Sequence, residues 1–231
     1  ICIMGTLASN RKGYIQGPSA SSYADAHAAT ADGVAYDALT NNQNTAIQYF
    51  QSSGRGNVFR FNRTFIHFDT SGISGGSSFQ LVVTSTAGNS SSGSHNVIAV
   101  NHNAGSGNGG ELANADFDNV IKGTPWSSST AYPSSGQVTF NLNAAAATQI
   151  INNNDFNIAL ILNGDYVGEE ESPLEEDGDI SNGIAFGSAI NLTYTDPASG
   201  YTHKINGLAA ASIGKVNTVA TANIGKINTV D

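Results

Sequence analysis

The chain has 231 residues, enough for one large or two small domains and for a substantial core. Only 12% of them are charged and acids outnumber bases 18 to 9, so the clustered Lys and Arg that phosphates require are missing, which argues against nucleic acid as the main partner. A lone cysteine, Cys2, excludes an intrachain disulfide and a thiolate metal site, and the longest apolar run, Ile158 to Leu162, is far below the roughly 20 residues of a membrane-spanning helix.

In chain order, Ile1 to Leu7 is mildly apolar but short for an export signal and has no basic region before it. Residues 1–19 read as an extended N-terminal arm. The next segments alternate in the manner of strands: Ala46–Gln51, Val58–Phe68, Phe79–Ser85, Asn96–His102, Gln137–Leu142, Phe156–Leu162 and Ile184–Tyr194. In the second of these, Phe59, Phe61 and Phe65 fall on one face, with Arg63 and His67 completing the row. Gly, Ser and Asn, 26 of each, gather largely between these runs as turn chemistry. Asn143–Asn152 predicts one short helix, with Asn143 as its N-cap. The expected fold is therefore all-β, an antiparallel β-sandwich of jelly-roll type at residues 20–198 with a single short helix and extended terminal segments.

Residues 199–231 form a tail with an 11-residue repeat opened by Lys204, Lys215 and Lys226. Two and a half units cannot bury their own apolar residues, so the tail is expected to dock on another subunit. Its assembly contacts are assigned to Lys204, Ile205, Lys215, Val216, Lys226 and Ile227, the lysine and following apolar residue of each unit.

Few residues suggest chemistry. Gly72-Ile73-Ser74-Gly75-Gly76 spells a nucleophile elbow, but a second strand follows it where a helix is required, so an inter-strand loop is expected. The glycine-rich stretch at 105–110 lacks the Lys-Ser/Thr ending of a phosphate loop. Seven of the 18 acids crowd into residues 169–179, where Asp177 and Asp179 have the close spacing that Ca2+ accepts; a solvated loop is the default and no cofactor is otherwise implied. Asp116, Asp118, Asp155 and Asp165 are available as paired carboxylates for glycoside hydrolysis, with nothing to select a pair. Trp126 and Tyr132 are the candidate glycan platform, weighed against a loop-anchor role for a tryptophan beside a proline. Sequons stand at Asn62, Asn89 and Asn191.

The motifs Tyr23-Ala24-Asp25-Ala26 and Arg60-Phe61-Asn62-Arg63-Thr64-Phe65-Ile66-His67-Phe68-Asp69-Thr70-Ser71-Gly72-Ile73, followed by Val138–Asn143 and Ile190–Tyr194, resemble the DNRLRE-type β-sandwich. The tail is similar to the Lys-Ile/Val-Asn-Gly-Val repeats of structural proteins from marine and other aquatic phages, with Thr218 and Thr229 where glycine is usual. Together these resemblances imply a non-enzymatic virion component: a tail fibre, capsid decoration or appendage. Its partners would be copies of itself and other virion proteins. The alternative is a glycan-binding adhesion module on a virion or bacterial surface, recognising host glycans.

Overall fold

The computed structural model describes residues 3–29, 34–38, 45–52, 58–86, 95–102, 112–132, 136–169, 180–196, 215–216 and 219–220. The strands are β1 (Ile3–Ala8), β2 (Arg11–Gln16), β3 (Val34–Ala38), β4 (Thr45–Ser52), β5 (Val58–Asp69), β6 (Ser77–Thr86), β7 (His95–Asn101), β8 (Thr130–Tyr132), β9 (Gly136–Asn141), β10 (Asp155–Leu162) and β11 (Ile180–Asp196), then the short β12 (Lys215–Val216) and β13 (Val219–Ala220). Four short helices accompany them: α1 (Tyr23–His27), α2 (Asn114–Asn119), α3 (Ala144–Asn152) and α4 (Asn163–Val167). All pairings between the described strands are antiparallel.

Two long strands organise the sheet. Along one edge of β5 runs β2 and the segment after it, with Phe59 exchanging backbone hydrogen bonds with Ala20 at 2.8 and 2.9 Å. Along its other edge β4 pairs with the first half and β10 with the second. β11 repeats the device, with β6 on one edge and β4 followed by β1 on the other. One limb therefore reads β8-β7-β10-β5-β2-β3 and the other β9-β6-β11-β1, joined where β4 pairs with both β5 and β11. The result is an antiparallel β-sandwich. The strand order establishes the sandwich and leaves the jelly-roll connectivity expected from the sequence without confirmation.

Residues 3–16, expected as part of an arm outside the sandwich, are two strands of it. Ser9 donates its N–H to Ile190 O at 2.9 Å and Asn10 to His67 O at 3.1 Å, so the chain passes from one limb to the other within two residues. The arm reading failed because Ile3–Ala8 and Arg11–Gln16 mix apolar, glycine and charged residues without strict alternation. Their place is set by backbone pairing with β11 and β5, which carries no side-chain signature.

The core draws on both limbs: Phe68, Phe156 and Ile158 from one, Leu81, Phe140 and Leu192 from the other. α3 forms as its sequence requires. Asn143 accepts the Ala146 N–H at 3.0 Å, satisfying a donor that the first turn leaves open, and Ala146 and Ile150 turn the buried side inward. β5 is buried on both faces, which alternation alone does not reveal. Its even-numbered residues Ile66 and Phe68 are core, while Phe61, Arg63 and Phe65 lie on the face where α1, α2 and α4 pack.

Candidate functional site

Arg63 is the centre of the most polar cluster among the described residues. It sits mid-strand in β5, fully buried, and needs a partner at that depth because an unpaired interior guanidinium is strongly unfavourable. Asp165 supplies it from the first turn of α4. Nε and Nη2 of Arg63 donate to the two carboxylate oxygens at 2.7 Å each, a bidentate fork, and Nη1 donates to the Phe117 carbonyl of α2. The Phe117 ring lies 3.8 Å from the guanidinium carbon and takes its flat side. Burial alone would raise the Asp165 carboxyl; the Arg63 charge and the hydrogen bonds from Arg63 and His27 outweigh it and hold the group below the usual carboxylate range.

α1 closes the cluster. Ser22 caps it by accepting the Asp25 N–H at 3.1 Å, and Tyr23 and His27 then stand one turn apart on the inward side, their rings stacked at 6.2 Å. Tyr23 meets the Phe61 ring edge-on at 5.3 Å and donates its hydroxyl to Glu169 O at 2.8 Å. His27 Nδ1 lies 3.1 Å from Asp165 Oδ1. A histidine oriented by a carboxylate is half of a nucleophilic triad, but no hydroxyl or thiol among the described residues is hydrogen-bonded to His27. The ring faces Gly168 instead, which ends α4 in the left-handed region at φ 72° and leaves space where a Cβ would stand 3.3 Å from His27 Nε2. With the guanidinium fork saturated by Asp165 and sealed from water, the arrangement ties three helices to β5.

Two other histidines occupy the same limb. His67 is held between Asn10 Oδ1 at 2.6 Å and Asp155 Oδ1 at 3.0 Å, joining the β1–β2 crossing to β10. His102 is buried against the edge of the Phe65 ring, 5.0 Å between centroids; burial pushes its pKa down to about 4 although hydrogen bonding with the Ile66 and Ile158 backbones favours the charged form.

Trp126 is not a sugar platform. It is 4% exposed, stacked on Phe156 at 4.5 Å and 10°, and its backbone N–H donates to Ala99 O at 2.8 Å. The loop around Pro125 is anchored through this ring, so neither ring face is offered to a ligand. The backbone of Tyr132 ends β8; its side chain lies outside the described residues, as do Asp177 and Asp179 and the glycine-rich stretch at 105–110. Of the tail residues, Lys215 and Val216 form β12, paired with β13 as Lys215↔Ala220 and Val216↔Val219, whereas Lys204, Ile205, Lys226 and Ile227 lie outside the described residues.

The candidate carboxylates are each engaged elsewhere. Asp116 accepts the Ala113 N–H at 2.8 Å, Asp118 meets Lys122 at 2.7 Å, Asp155 meets His67 and Asp165 meets Arg63. Ser74 stands in a loop between β5 and β6 that Ile73 pins into the core, with no helix after it. The sequon at Asn62 is buried within β5, out of reach of modification. No group of three or more His, Cys, Asp or Glu among the described residues is arranged to hold a metal ion.

The Arg63–Asp165 pair escaped the sequence because its members are 102 residues apart and no spacing rule connects them. One sign was present: an arginine completing a phenylalanine row is a charge on a face that has no reason to be wet. No family model matches the chain, and none of the curated proteins does.

Proposed function

We propose that this protein is a non-enzymatic structural component of a virus particle, a sandwich body that assembles through its terminal segments. The observation that carries the reading is the pairing of Ile3 with Asp196, the first and last residues of the β1–β11 ladder. Ile3 and Asp196 stand side by side at one pole of the sandwich, so the residues that lead into the repeat tail start beside the N-terminal strand. A body held at one pole suits an appendage or decoration.

Two further features support it. Arg63 and Asp165 are both buried, and their charges are spent on each other and on fastening helices to β5. The likeness of the tail and sandwich motifs to aquatic phage virion proteins points to a particle and to self-association. The adhesion alternative loses its leading residue with Trp126 in the core.

Truncation after Pro197 tests the reading. Among the described residues the buried hydrophobic core runs from Ile15 to Leu192, with Leu7 and Tyr194 packed against it, so the truncated body retains it. The expected outcome is a folded monomer, with the full chain forming oligomers or filaments under light scattering and negative-stain microscopy. Equal assembly by both chains would remove the tail from the mechanism.

A further inference from the structure

We propose that the open edge of β1 is the acceptor for the repeat tail of a second copy, which adds to the sheet as a strand. The proposal rests on the tail-mediated assembly just described and names the surface that receives it.

β1 is an edge strand with a usable backbone. Its ladder with β11 continues to Ser9, whose N–H bonds Ile190 O, and alternation then assigns Ile3, Gly5 and Leu7 to hydrogen bonds with β11. The N–H and C=O groups of Met4, Thr6 and Ala8 are turned to the other edge, and no described strand pairs there. Solvent-exposed edges are ordinarily guarded by charges, prolines or bulges. Ile3–Ala8 has no charge and no proline, and its register runs unbroken over six residues. Met4 on its outer face is 63% exposed, with Val167 one of two large apolar side chains left bare among the described residues. Behind the strand, the Tyr194 ring covers Gly5 and stacks on Phe79 at 5.5 Å, so the template is backed by packed aromatic rings.

The tail fits this edge in charge, composition and position. It holds Lys204, Lys215 and Lys226, three of the chain's 9 bases, and a single acid, Asp231, so nearly all of the 18 acids belong to the body it would approach. That opposition favours a basic tail on an acidic body, an attraction that the other way of covering the edge, β1 against β1, does not supply. The tail is rich in Val, Ile, Thr and Asn, and its first unit, residues 204–214, has 11 residues against the six of β1, whereas the second opens with the β12–β13 hairpin. A tail leaving beside Ile3 of its own body is already at the pole where a neighbour's β1 is offered, so copies joined this way meet at their tail-bearing poles.

The test compares four full-length or truncated chains by light scattering and circular dichroism. Thr6→Pro removes an N–H that faces the open edge and leaves the bonds to β11 untouched; Met4→Lys/Thr6→Lys adds two charges on the exposed face that repel a basic strand. The expected result is that both variants melt as folded proteins, lose assembly at least tenfold in the concentration required, and match the chain truncated after Pro197. If the truncated chain is monomeric while both edge variants assemble like the parent, the acceptor is elsewhere and this proposal fails with tail-mediated assembly intact. If truncation leaves assembly unchanged, both readings fall, and loss of assembly in the edge variants would then assign β1 to pairing with itself.

Discussion

His102 offers the sharpest physical test, because its consequence is confined to a window of pH. In the folded protein burial lowers its pKa from 6.5 to about 4. As pH falls through that interval, the unfolded chain takes up a proton that the native state refuses, so the unfolded state binds more protons and stability declines. The contribution is full above about pH 6.5, decreases toward pH 4, and changes no further below it. The gap between the two values corresponds to about 3 kcal/mol, a large share of the stability of an ordinary domain. Urea unfolding of the parent and of His102→Gln, followed from about pH 7.5 down to about 4.5, measures it as a difference in slope. Every other titrating group is common to both proteins and cancels. The depressed carboxyls of Asp165 and Asp69 act lower still, since a lowered acid loses its contribution only as pH falls below its ordinary value. The variant is expected to lose less stability than the parent by most of that ~3 kcal/mol. Parallel curves would refute the argument, showing that the native imidazole reaches water and titrates normally.

Two substitutions probe the interior directly. Asp165→Asn leaves the Arg63 guanidinium buried without a counter-charge and should cost about 3–5 kcal/mol in denaturant unfolding, with the apolar pair Arg63→Met/Asp165→Leu costing much less than the two single changes combined. Trp126→Ala should cost about 3–5 kcal/mol by the same measurement, the loss of a large core ring with the cavity it leaves; a surface platform would cost almost nothing.

What was legible in the sequence was whatever the chain repeats locally. Val58–Phe68 announced β5 through alternation, and Asn143 with four alanines announced α3, since a strand face and a capped turn are decided within a few residues. α1 was missed although Ser22 and Asp25 cap it, because five residues are too few for any helical period to show. β1 and β2 were missed for a different reason. Their stability comes from ladders with residues 191–196 and 62–67, and the same six residues without those partners would be a loop. Residue type alone left Trp126 between a glycan platform and a loop anchor, because the partner that decides for the anchor, Phe156, is thirty positions away.

The second face of β5 explains why the local signals misled about chemistry. A row of Phe61, Arg63 and Phe65 on a two-layer sandwich has one face in the core and one in water, so Arg63 would be either a solvated charge or a catalytic one. The helices change that choice. Once α1, α2 and α4 cover the limb, the arginine becomes the one group on the strand able to bond all three at once: Asp165 by the fork, Phe117 by its carbonyl and ring, and α1 through His27 on the shared carboxylate. Directional bonds fix helix positions in a way that apolar contact leaves loose. The charge is therefore consumed in holding an outer layer on one limb, while the other limb has β1 at its edge with no described strand beyond it. Of the edge strands β1, β3, β8 and β9, β1 is the one paired with β11, the strand that leads into the repeat tail, and the proposed assembly uses it for that reason.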